Sequence, residues 1–156
     1  MSIERVRAEF EKLGIAERML EFPVSSATVE LAAKAVGTEE ARIAKTLSFH
    51  DGDGCMLIVT AGDTKIDNSK FKARFAMKAK MLSLEEAFAM TGHAVGGVCP
   101  FALPEGVKVF LDVSMRRFTT VFPAVGSANS AIELNLDELF KYSNALEWID
   151  VCKLPE

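Results

Sequence analysis

The hydrophobic positions at the start of the chain recur with the period of an α-helix. Charged residues stand between four apolar ones, Ile3, Val6, Phe10 and Leu13, and Gly14 follows directly. Because residues three and four apart share one helix face, this spacing predicts an amphipathic helix that ends at the glycine.

Three more helices are predicted from their end signals. Thr28 is placed to cap the start of a helix over 29–36, and Gly37 is placed to end it. Residues 83–86 and 135–138 each carry a Ser or Asn followed three residues later by Glu, ahead of apolar residues. This capping-box pattern predicts a helix start at each place.

Strand patterns lie between these helices. Residues 43–49 and 55–61 flank a turn-rich loop and predict a hairpin. β-branched and aromatic residues favour further strands over 107–113, 119–125, 131–134 and 148–151. Because strands and short helices are interspersed without a regular βαβ repeat, we expect a mixed α/β fold of the α+β type. A barrel-like sheet surrounded by short helices, in a single domain over 1–156, fits this order.

The composition is that of an ordinary folded domain. Hydrophobic residues make up 49% and charged residues 26% of the 156 positions, which is enough apolar material for a core. The longest purely apolar run, 56–59, is far too short to cross a membrane, and the start lacks the apolar core of a signal peptide. We therefore expect a cytoplasmic protein with no membrane partner.

Charge and cysteine content limit what the protein binds. The formal net charge of −4 argues against a broad basic surface, although it is compatible with a protein that grips only the end of a tRNA. The three cysteines, Cys55, Cys99 and Cys152, form no CxxC pair, which argues against a disulfide framework and a zinc site. We expect neither a metal nor another cofactor.

Lys45 departs from the pattern of its predicted strand. In residues 43–49 the odd positions carry Ile, Lys, Leu and Phe, and the even positions carry Ala, Thr and Ser. Lys45 is thus in phase with the apolar row, on the face expected to point inward. A buried ammonium needs a partner, an opening or a ligand. The alternative is a lysine that extends along a sheet edge to reach solvent.

A glycine-rich loop over 91–101 is the second feature typical of a site. Its glycines let the backbone approach a ligand, and Pro100 stiffens the backbone at the end of the loop. Such a loop either binds an oxyanion through backbone N–H groups or simply connects a helix to a strand. His93 is either a substrate-orienting group or a hydrogen-bonded scaffold residue. Cys99 is either a nucleophile with His93 as its base or a packing residue.

A third polar segment, Gly126-Ser127-Ala128-Asn129-Ser130, lies between two predicted strands. It is either a binding loop or a plain hairpin connection. The G-x-S-x-G, P-loop and H-E-x-x-H motifs do not occur in the sequence.

Together these segments resemble the YbaK/ProX family, also called the aminoacyl-tRNA deacylase-associated domain. In the family's order, the matching stretches are Ser26–Ala33, Ile43–Leu47, Ala61–Asp63, Thr91–His93, Gly96–Phe101, Phe110–Asp112 and Gly126–Ser127. The sequence departs from the family at Ala102, where a glycine is usual. It also carries Ala128-Asn129-Ser130 where members that accept cysteine tend to have a basic run.

The resemblance implies a mixed fold around a barrel-like sheet, and hydrolysis of the ester that joins an amino acid to the 3′ end of tRNA. It also implies that Lys45 is essential and that the loop from Gly96 to Pro100 lines the site. We therefore expect Lys45, Gly96 and Gly97 to be catalytic. The expected substrate-binding residues are Thr46, His93, Val98, Cys99, Pro100, Phe101, Gly126 and Ser127.

Such a reaction needs no catalytic triad, because an aminoacyl ester is already activated. Backbone N–H groups of the glycine-rich loop can stabilise the oxyanion, and Lys45 can hold a phosphate or the ester carbonyl. The proton of the attacking water can pass to the ribose hydroxyl or to the amine of the substrate itself.

We expect a deacylase that edits small amino acids, because a synthetase separates side chains differing by one methylene by only about 1–3 kcal/mol. Its partners would be the acceptor end of aminoacyl-tRNA and a synthetase. One alternative is a non-catalytic module of the same fold that binds aminoacyl-tRNA or a synthetase. Another is a hydrolase of some other small acyl ester or nucleotide.

Overall fold

A curled sheet of six strands, a half-barrel, lies at the centre of the protein. The computed structural model describes residues 2–94 and 96–155, so Val95 of the predicted glycine-rich loop lies outside the described residues. In chain order the elements are α1 (Ser2–Leu13), β1 (Leu20–Glu21), α2 (Val29–Val36), β2 (Ile43–Asp51), β3 (Gly54–Ala61), β4 (Lys65–Ile66), α3 (Asn68–Phe75), α4 (Leu84–Thr91), β5 (Lys108–Asp112), β6 (Thr120–Pro123), β7 (Ser130–Ala131), β8 (Leu134–Asn135), α5 (Leu136–Tyr142), β9 (Glu147–Ile149) and β10 (Cys152–Lys153).

The strand order of the central sheet is β8-β6-β2-β3-β5-β9. β2 and β3 form an antiparallel hairpin, whereas β6 runs parallel to β2, and both β5 and β9 run parallel to their inner neighbours. Two small antiparallel pairs, β1 with β7 and β4 with β10, lie outside it. The mixture of hairpin and crossover connections confirms the predicted mixed α/β fold.

The end signals of the four predicted helices are confirmed. Gly14 and Gly37 follow α1 and α2 with φ angles of +76° and +84°, the left-handed conformation that glycine adopts without strain. Thr28 Oγ1 accepts a hydrogen bond from Leu31 N at the start of α2 (3.1 Å). Capping boxes form at the starts of both α4 and α5. No helix within the described ranges has the length and apolar character that crossing a membrane requires.

Two predicted strands are each divided in the structure. The stretch 131–134 splits because Ala131 pairs with Leu20 of β1, whereas Leu134 pairs with Val121 of β6. The predicted final strand over 148–151 is also wrong as a continuous element, since β9 ends at Ile149 and β10 begins only at Cys152.

Helix α3 was not predicted from the pattern, because its sequence is mostly polar. Asp67 caps it by accepting hydrogen bonds from Ser69 N (3.0 Å) and Lys70 N (3.1 Å). Phe71 is fully buried against the sheet, and Phe75 packs beside it with ring centroids 4.8 Å apart. Two aromatic side chains therefore anchor a helix whose other positions face solvent.

Both faces of the sheet are covered. One carries Leu57, Val59 and Leu111 and packs against Phe10 of α1 and Leu139 of α5. The opposite face carries apolar residues of β2, β3 and β5 that pack against α3; these are Phe49, Met56, Ile58 and Phe110. Because both faces are packed in the described part of the protein, an unpaired strand edge is a place where a ligand can approach the sheet.

Candidate functional site

The backbone pairing along the outer edge of β2 is interrupted near the middle of the strand. Its first two residues, 43–44, pair with β6. Further along, segment 80–82 lies against residues 48–50 through two backbone hydrogen bonds of 2.8 and 3.1 Å. Residues 45–47 lie between these two neighbours, so the fold leaves a gap at the strand edge that contains Lys45.

A cavity of about 260 Å³ opens at this gap. Most of its wall is small or apolar and is formed by Val29, Ala32, Ile43, Ala44, Leu82, Ala87, Val98, Phe122, Ala124 and Ala131, among others. The polar lining consists mainly of hydroxyl groups, from Ser26, Thr28, Thr46, Ser48, Ser83 and Ser130, together with Lys45. An apolar cavity with a few polar groups is the usual form of a small-molecule site.

Lys45 forms part of the cavity wall, and its side chain extends on the face of β2 opposite to that of Thr46 and Ser48. It lies on the same face of β2 as Leu47 and Phe49, and its Nζ donates a hydrogen bond to the carbonyl of Thr64. Burial lowers the pKa of the Lys45 ammonium, and Lys65 lowers it further, whereas Cys152 and Asp63 oppose the shift. The hydrogen-bond partner is neutral, and Lys45 forms no ion pair with a carboxylate of the described chain.

The even positions of β2 also face the interior. Ala44 and Ser48 are 3% and 7% exposed, and Thr46 lines the cavity between them. Ser26 lies across from this row and is 8% exposed. Within the described part of the protein, Ser26 Oγ is a buried side-chain oxygen that makes no hydrogen bond. A buried hydroxyl without a partner costs free energy, so this position favours a ligand that supplies one.

The glycine-rich loop contributes Gly96 and Val98 to the cavity wall. Gly96 has φ +79°, and a Cβ placed on it would stand 3.0 Å from the Cβ atoms of Ala27 and Ala128. A glycine is needed here because the loop packs closely against two other segments that border the cavity. The N–H of Gly97 points elsewhere, since it donates to Ala94 O (2.9 Å).

At Gly97 and Gly126 the glycine-rich loop and the polar segment 126–130 are in direct contact. A Cβ on Gly97 would stand 2.9 Å from backbone atoms of Gly126 and Ser127. A Cβ on Gly126, whose φ is +105°, would stand 2.8 Å from the backbone of Ile3. Because these two positions are glycines, the glycine-rich loop, the 126–127 turn and the start of α1 can pack directly against one another. Ser127 Oγ lies 2.8 Å from Ser130 Oγ and stays outside the cavity wall.

His93 is a buried linker behind the loop. It is 0% exposed; its Nε2 donates to Phe101 O (2.8 Å), and its Nδ1 therefore accepts a hydrogen bond from Ser2 Oγ. Burial lowers the pKa of His93, in part opposed by the Phe101 carbonyl. A neutral imidazole thus connects α1 to the loop, which fits the scaffold interpretation.

Cys99, Pro100 and Phe101 also lie behind the cavity. Cys99 Sγ is 3.5 Å from His93 Nε2, but that nitrogen already donates to a carbonyl, and burial raises the pKa of the thiol to about 12. A protonated, buried thiol is a packing group rather than a nucleophile. Phe101 is 1% exposed and packs edge-on against Phe10, with ring centroids 5.0 Å apart.

Of the predicted site residues, Lys45, Thr46, Gly96 and Val98 line the cavity. The others, Gly97, His93, Cys99, Pro100, Phe101, Gly126 and Ser127, form the layer that holds the loop in place. Sequence reasoning missed Ser26 and Ser48. The sequence held a signal for each of them, since Ser26 begins a stretch that matches the family and Ser48 is on the same face of the predicted strand as Thr46.

Known proteins share this sequence pattern. The family described as "Aminoacyl-tRNA editing domain" matches residues 24–142. The uncharacterized protein YwhH of Bacillus subtilis (strain 168) is 53% identical over 154 residues, which are 98% of each chain. A proline–tRNA ligase of Thermosipho africanus (strain TCF52B) is 27% identical over 156 residues, and the match takes 96% of this chain but only 27% of the ligase.

Solved structures share the fold at full length. A candidate trans-editing enzyme for prolyl tRNA synthetase superimposes with a TM-score of 0.86 at 27% identity, covering 97% of both chains. The hypothetical protein APE2540 superimposes with a TM-score of 0.79 at 27% identity, covering 93% of this chain and 99% of the other. Because the family pattern covers residues 24–142 of 156, the chain belongs to the family of aminoacyl-tRNA editing domains and its role lies in that editing.

Proposed function

We propose that the protein hydrolyses the ester of mischarged aminoacyl-tRNA that carries a small amino acid. The observation that supports this most directly is the cavity at the gap in β2, where Lys45 has no carboxylate partner among the described residues and lies beside a glycine-rich loop. The 3′ end of aminoacyl-tRNA supplies a phosphate and an ester carbonyl, the groups that such a cation binds.

Lys45 holds the substrate by charge. A half-buried ammonium interacts more strongly with an anionic oxygen than it would in water. It binds the phosphate of the terminal adenosine or the ester carbonyl, and either contact fixes the scissile bond in the cavity. A phosphate also replaces the counter-charge that the ammonium lacks in the free protein.

The loop stabilises the negative charge that develops on the carbonyl oxygen. Gly96 and Val98 border the cavity, so their backbone N–H groups are the proposed oxyanion donors, each worth about 3–4 kcal/mol in well-studied hydrolases. Gly97, whose N–H is bound to Ala94 O, acts instead by letting the loop pack on the 126–127 turn.

Water is the proposed nucleophile. Its oxygen bonds to the ester carbon, the bond from that carbon to the ribose oxygen breaks, and the ribose oxygen takes up a proton. The water's proton is relayed through a neighbouring ribose hydroxyl or the amine of the substrate to that leaving ribose oxygen, since His93 and Cys99 lie behind the wall. The free hydroxyl of Ser26 is placed to orient the amine or the ribose.

Errors of a prolyl-tRNA synthetase are the proposed source of substrate. One relative is a proline–tRNA ligase, and a structural neighbour is described as acting for prolyl tRNA synthetase. A synthetase pocket that admits proline also admits smaller amino acids at a substantial rate, because binding separates them by only about 1–3 kcal/mol. We therefore propose tRNA for proline, charged with a smaller amino acid, as the first substrate to test.

The test is to follow ester loss from a panel of mischarged tRNAs with the wild type and two variants. Lys45→Ala should be inactive, whereas Lys141→Ala, an exposed change on α5, should be fully active. Binding of aminoacyl-tRNA without hydrolysis of any member would contradict the proposal and leave a non-catalytic binding module.

A further inference from the structure

Positive charge is concentrated in one segment of this acidic protein. Residues 65–80 hold six basic side chains, Lys65, Lys70, Lys72, Arg74, Lys78 and Lys80, against one acidic side chain, Asp67. The segment thus carries a formal charge of +5, and the rest of the chain carries −9. All six basic residues are exposed, on α3 and on the strand and loop that flank it.

Most of this charge is not paired with a carboxylate of the described residues. Lys70 pairs with Asp150 (3.0 Å), and Arg74 pairs with Glu147. The remaining four lysines form no ion pair with a described carboxylate. Lys72 and Lys78 line the same depression of about 370 Å³, together with Asn68, Ser69 and Ala79. Two ammonium groups that lack an ion-pair partner among the described residues lie around one concave surface, where together they can bind an anionic group.

The basic segment reaches the cavity at both of its ends. Lys80 accepts a backbone hydrogen bond from His50 of β2 (2.8 Å), and the next residue, Met81, lines the cavity. At the other end, Lys45 Nζ donates to the carbonyl of Thr64, the residue before Lys65. A polyanion whose end enters the cavity therefore has exposed basic residues of this segment beside it.

We propose that residues 65–80 bind the phosphodiester backbone of the acceptor stem whose aminoacylated end occupies the cavity. This inference rests on the proposed function. Lysine suits the task, because its flexible point charge neutralises phosphates without reading sequence. Double-stranded RNA is recognised mainly through its shape and its phosphate and ribose groups, so an exposed row of lysines is a sufficient surface.

The test compares two double variants that remove the same charge. Lys72→Gln/Lys78→Gln changes the basic segment, and Lys12→Gln/Lys141→Gln changes exposed lysines on α1 and α5. The probe is an uncharged RNA hairpin with the acceptor-stem sequence and a 3′ CCA end. Loss of two phosphate contacts should weaken its binding about tenfold near physiological salt and make the log Kd–log salt slope shallower by about 1.5. The control pair should bind like the wild type.

Kinetics separate this surface from the cavity. For full-length aminoacyl-tRNA the Lys72→Gln/Lys78→Gln variant should show a KM raised about tenfold with kcat unchanged. For the aminoacyl ester of a CCA trinucleotide, which lacks the stem, it should match the wild type. Equal behaviour of the two double variants on the hairpin would overturn the proposal.

Two further outcomes are decisive. If no ester is hydrolysed by the wild type, the proposed function fails, yet hairpin binding that depends on Lys72 and Lys78 still supports the stem surface. The wild type could also fail to bind the hairpin and instead bind vesicles containing phosphatidylserine in a way that depends on Lys72 and Lys78. In that case the surface binds a membrane, and the stem proposal is overturned.

Discussion

Lys45 carries a charge that the folded protein does little to stabilise. Among the described residues it donates to the neutral Thr64 carbonyl, and burial lowers the pKa of its ammonium. A residue selected for stability alone would be apolar here, like its row neighbours Leu47 and Phe49. This is consistent with the proposed role of Lys45, in which a substrate oxygen becomes its partner.

Lys45→Met should remove activity and leave the protein at least as stable. We expect kcat/KM for mischarged tRNA to fall about 10²–10³-fold, the usual effect of losing one oxyanion or phosphate contact. The free energy of unfolding should be unchanged or higher by about 1 kcal/mol, because an unpaired charge is replaced by an apolar side chain. Near-normal activity would contradict the catalytic role, and gross unfolding would indicate a structural one.

The pH dependence of stability checks the same residue. Because the folded-state pKa of Lys45 is lowered, the native protein releases this proton at a lower pH than the unfolded chain does. The free energy of unfolding should thus rise with pH through the window just below the ordinary lysine pKa, about 10.4. Urea titrations at stepped pH should show this rise in the wild type relative to Lys45→Met.

Ser26→Ala should stabilise the free protein and weaken catalysis. Removing a buried hydroxyl that makes no hydrogen bond in the described protein should raise the free energy of unfolding by about 1 kcal/mol. If the hydroxyl orients substrate, kcat/KM should fall about tenfold, measured by ester loss from mischarged tRNA. Ser114→Ala is a matched control: that serine is 7% exposed and accepts from Ala61 N (3.2 Å), so its loss should destabilise the fold. Unchanged kcat/KM in Ser26→Ala would place Ser26 outside the reaction.

At the scale of elements, the cavity depends on loops held together by glycines. The glycine-rich loop, the 126–127 turn and the start of α1 approach so closely that Gly97 and Gly126 leave no room for a Cβ. Ala102, just after this loop, has a positive φ although it is not a glycine. It has φ +52° at the position where the family usually has glycine, and its N–H donates to Glu9 Oε2 (3.1 Å).

Ala102→Gly should therefore stabilise the protein. The left-handed conformation costs an alanine about 1–2 kcal/mol, and the extra freedom of glycine in the unfolded chain offsets about half of that. We expect a gain of about 0.5–1 kcal/mol, which is a Tm rise of about 1–4 °C. Ala8→Gly, on the exposed side of α1, should lower the Tm instead. A fall in Tm for Ala102→Gly would contradict the strain at this position.

Elements with local signals were predictable from sequence. Capping boxes, helix-ending glycines and the β2–β3 hairpin depend on neighbours within a few residues, and each of them is confirmed. Pairing across long distances was not predictable. The 131–134 stretch divides because β1 and β6, more than ten residues upstream, each pair with a different part of it. Helix α3 was missed because only Phe71 and Phe75 mark its buried side.

The same distinction applies to the candidate site. Lys45 was recognisable because it breaks a period of two within one strand. The division of the glycine-rich loop into Gly96 and Val98 at the wall and Gly97 behind it depends on the 126–127 turn, which is remote in sequence. The contribution of Ser26 depends likewise on where α2 docks. The glycine pattern identified the loop and the family resemblance implied that it lines the site, whereas the three-dimensional packing separated its lining residues from its supporting ones.

At the scale of the whole molecule, the net charge of −4 hides a strong asymmetry. The +5 segment and the −9 remainder almost cancel, so the overall composition suggests a weak polyanion binder. An acidic body also repels the rest of a bound tRNA, which favours contact through the acceptor end alone. We therefore expect the protein to contact the acceptor end of its proposed substrate, and selectivity among substrates would then depend on the cavity.

The cavity should act as a sieve for side-chain size. Its volume is about 260 Å³, and its wall combines small residues with Val98, Phe122 and the backbone of Gly96. A wall of this kind rejects bulk by steric clash, because overfilling a packed site costs about 1–3 kcal/mol, which is roughly ten- to a hundredfold in rate. We expect alanyl, seryl and threonyl esters to be cleaved faster than phenylalanyl or leucyl esters.

Val98→Ala should widen the sieve, because Val98 lines the cavity. The measurement is kcat/KM across a panel of charged tRNAs for the wild type, for Val98→Ala and for Val107→Ala, a half-buried valine outside the cavity wall. We expect the ratio of leucyl to alanyl ester cleavage to rise about tenfold in Val98→Ala, the gain from relieving a clash of ~1.4 kcal/mol. In Val107→Ala the ratio should stay at its wild-type value, because truncation away from the wall changes stability and not selection. Equal rates for alanyl and phenylalanyl esters in the wild type would show that size is not what the cavity selects.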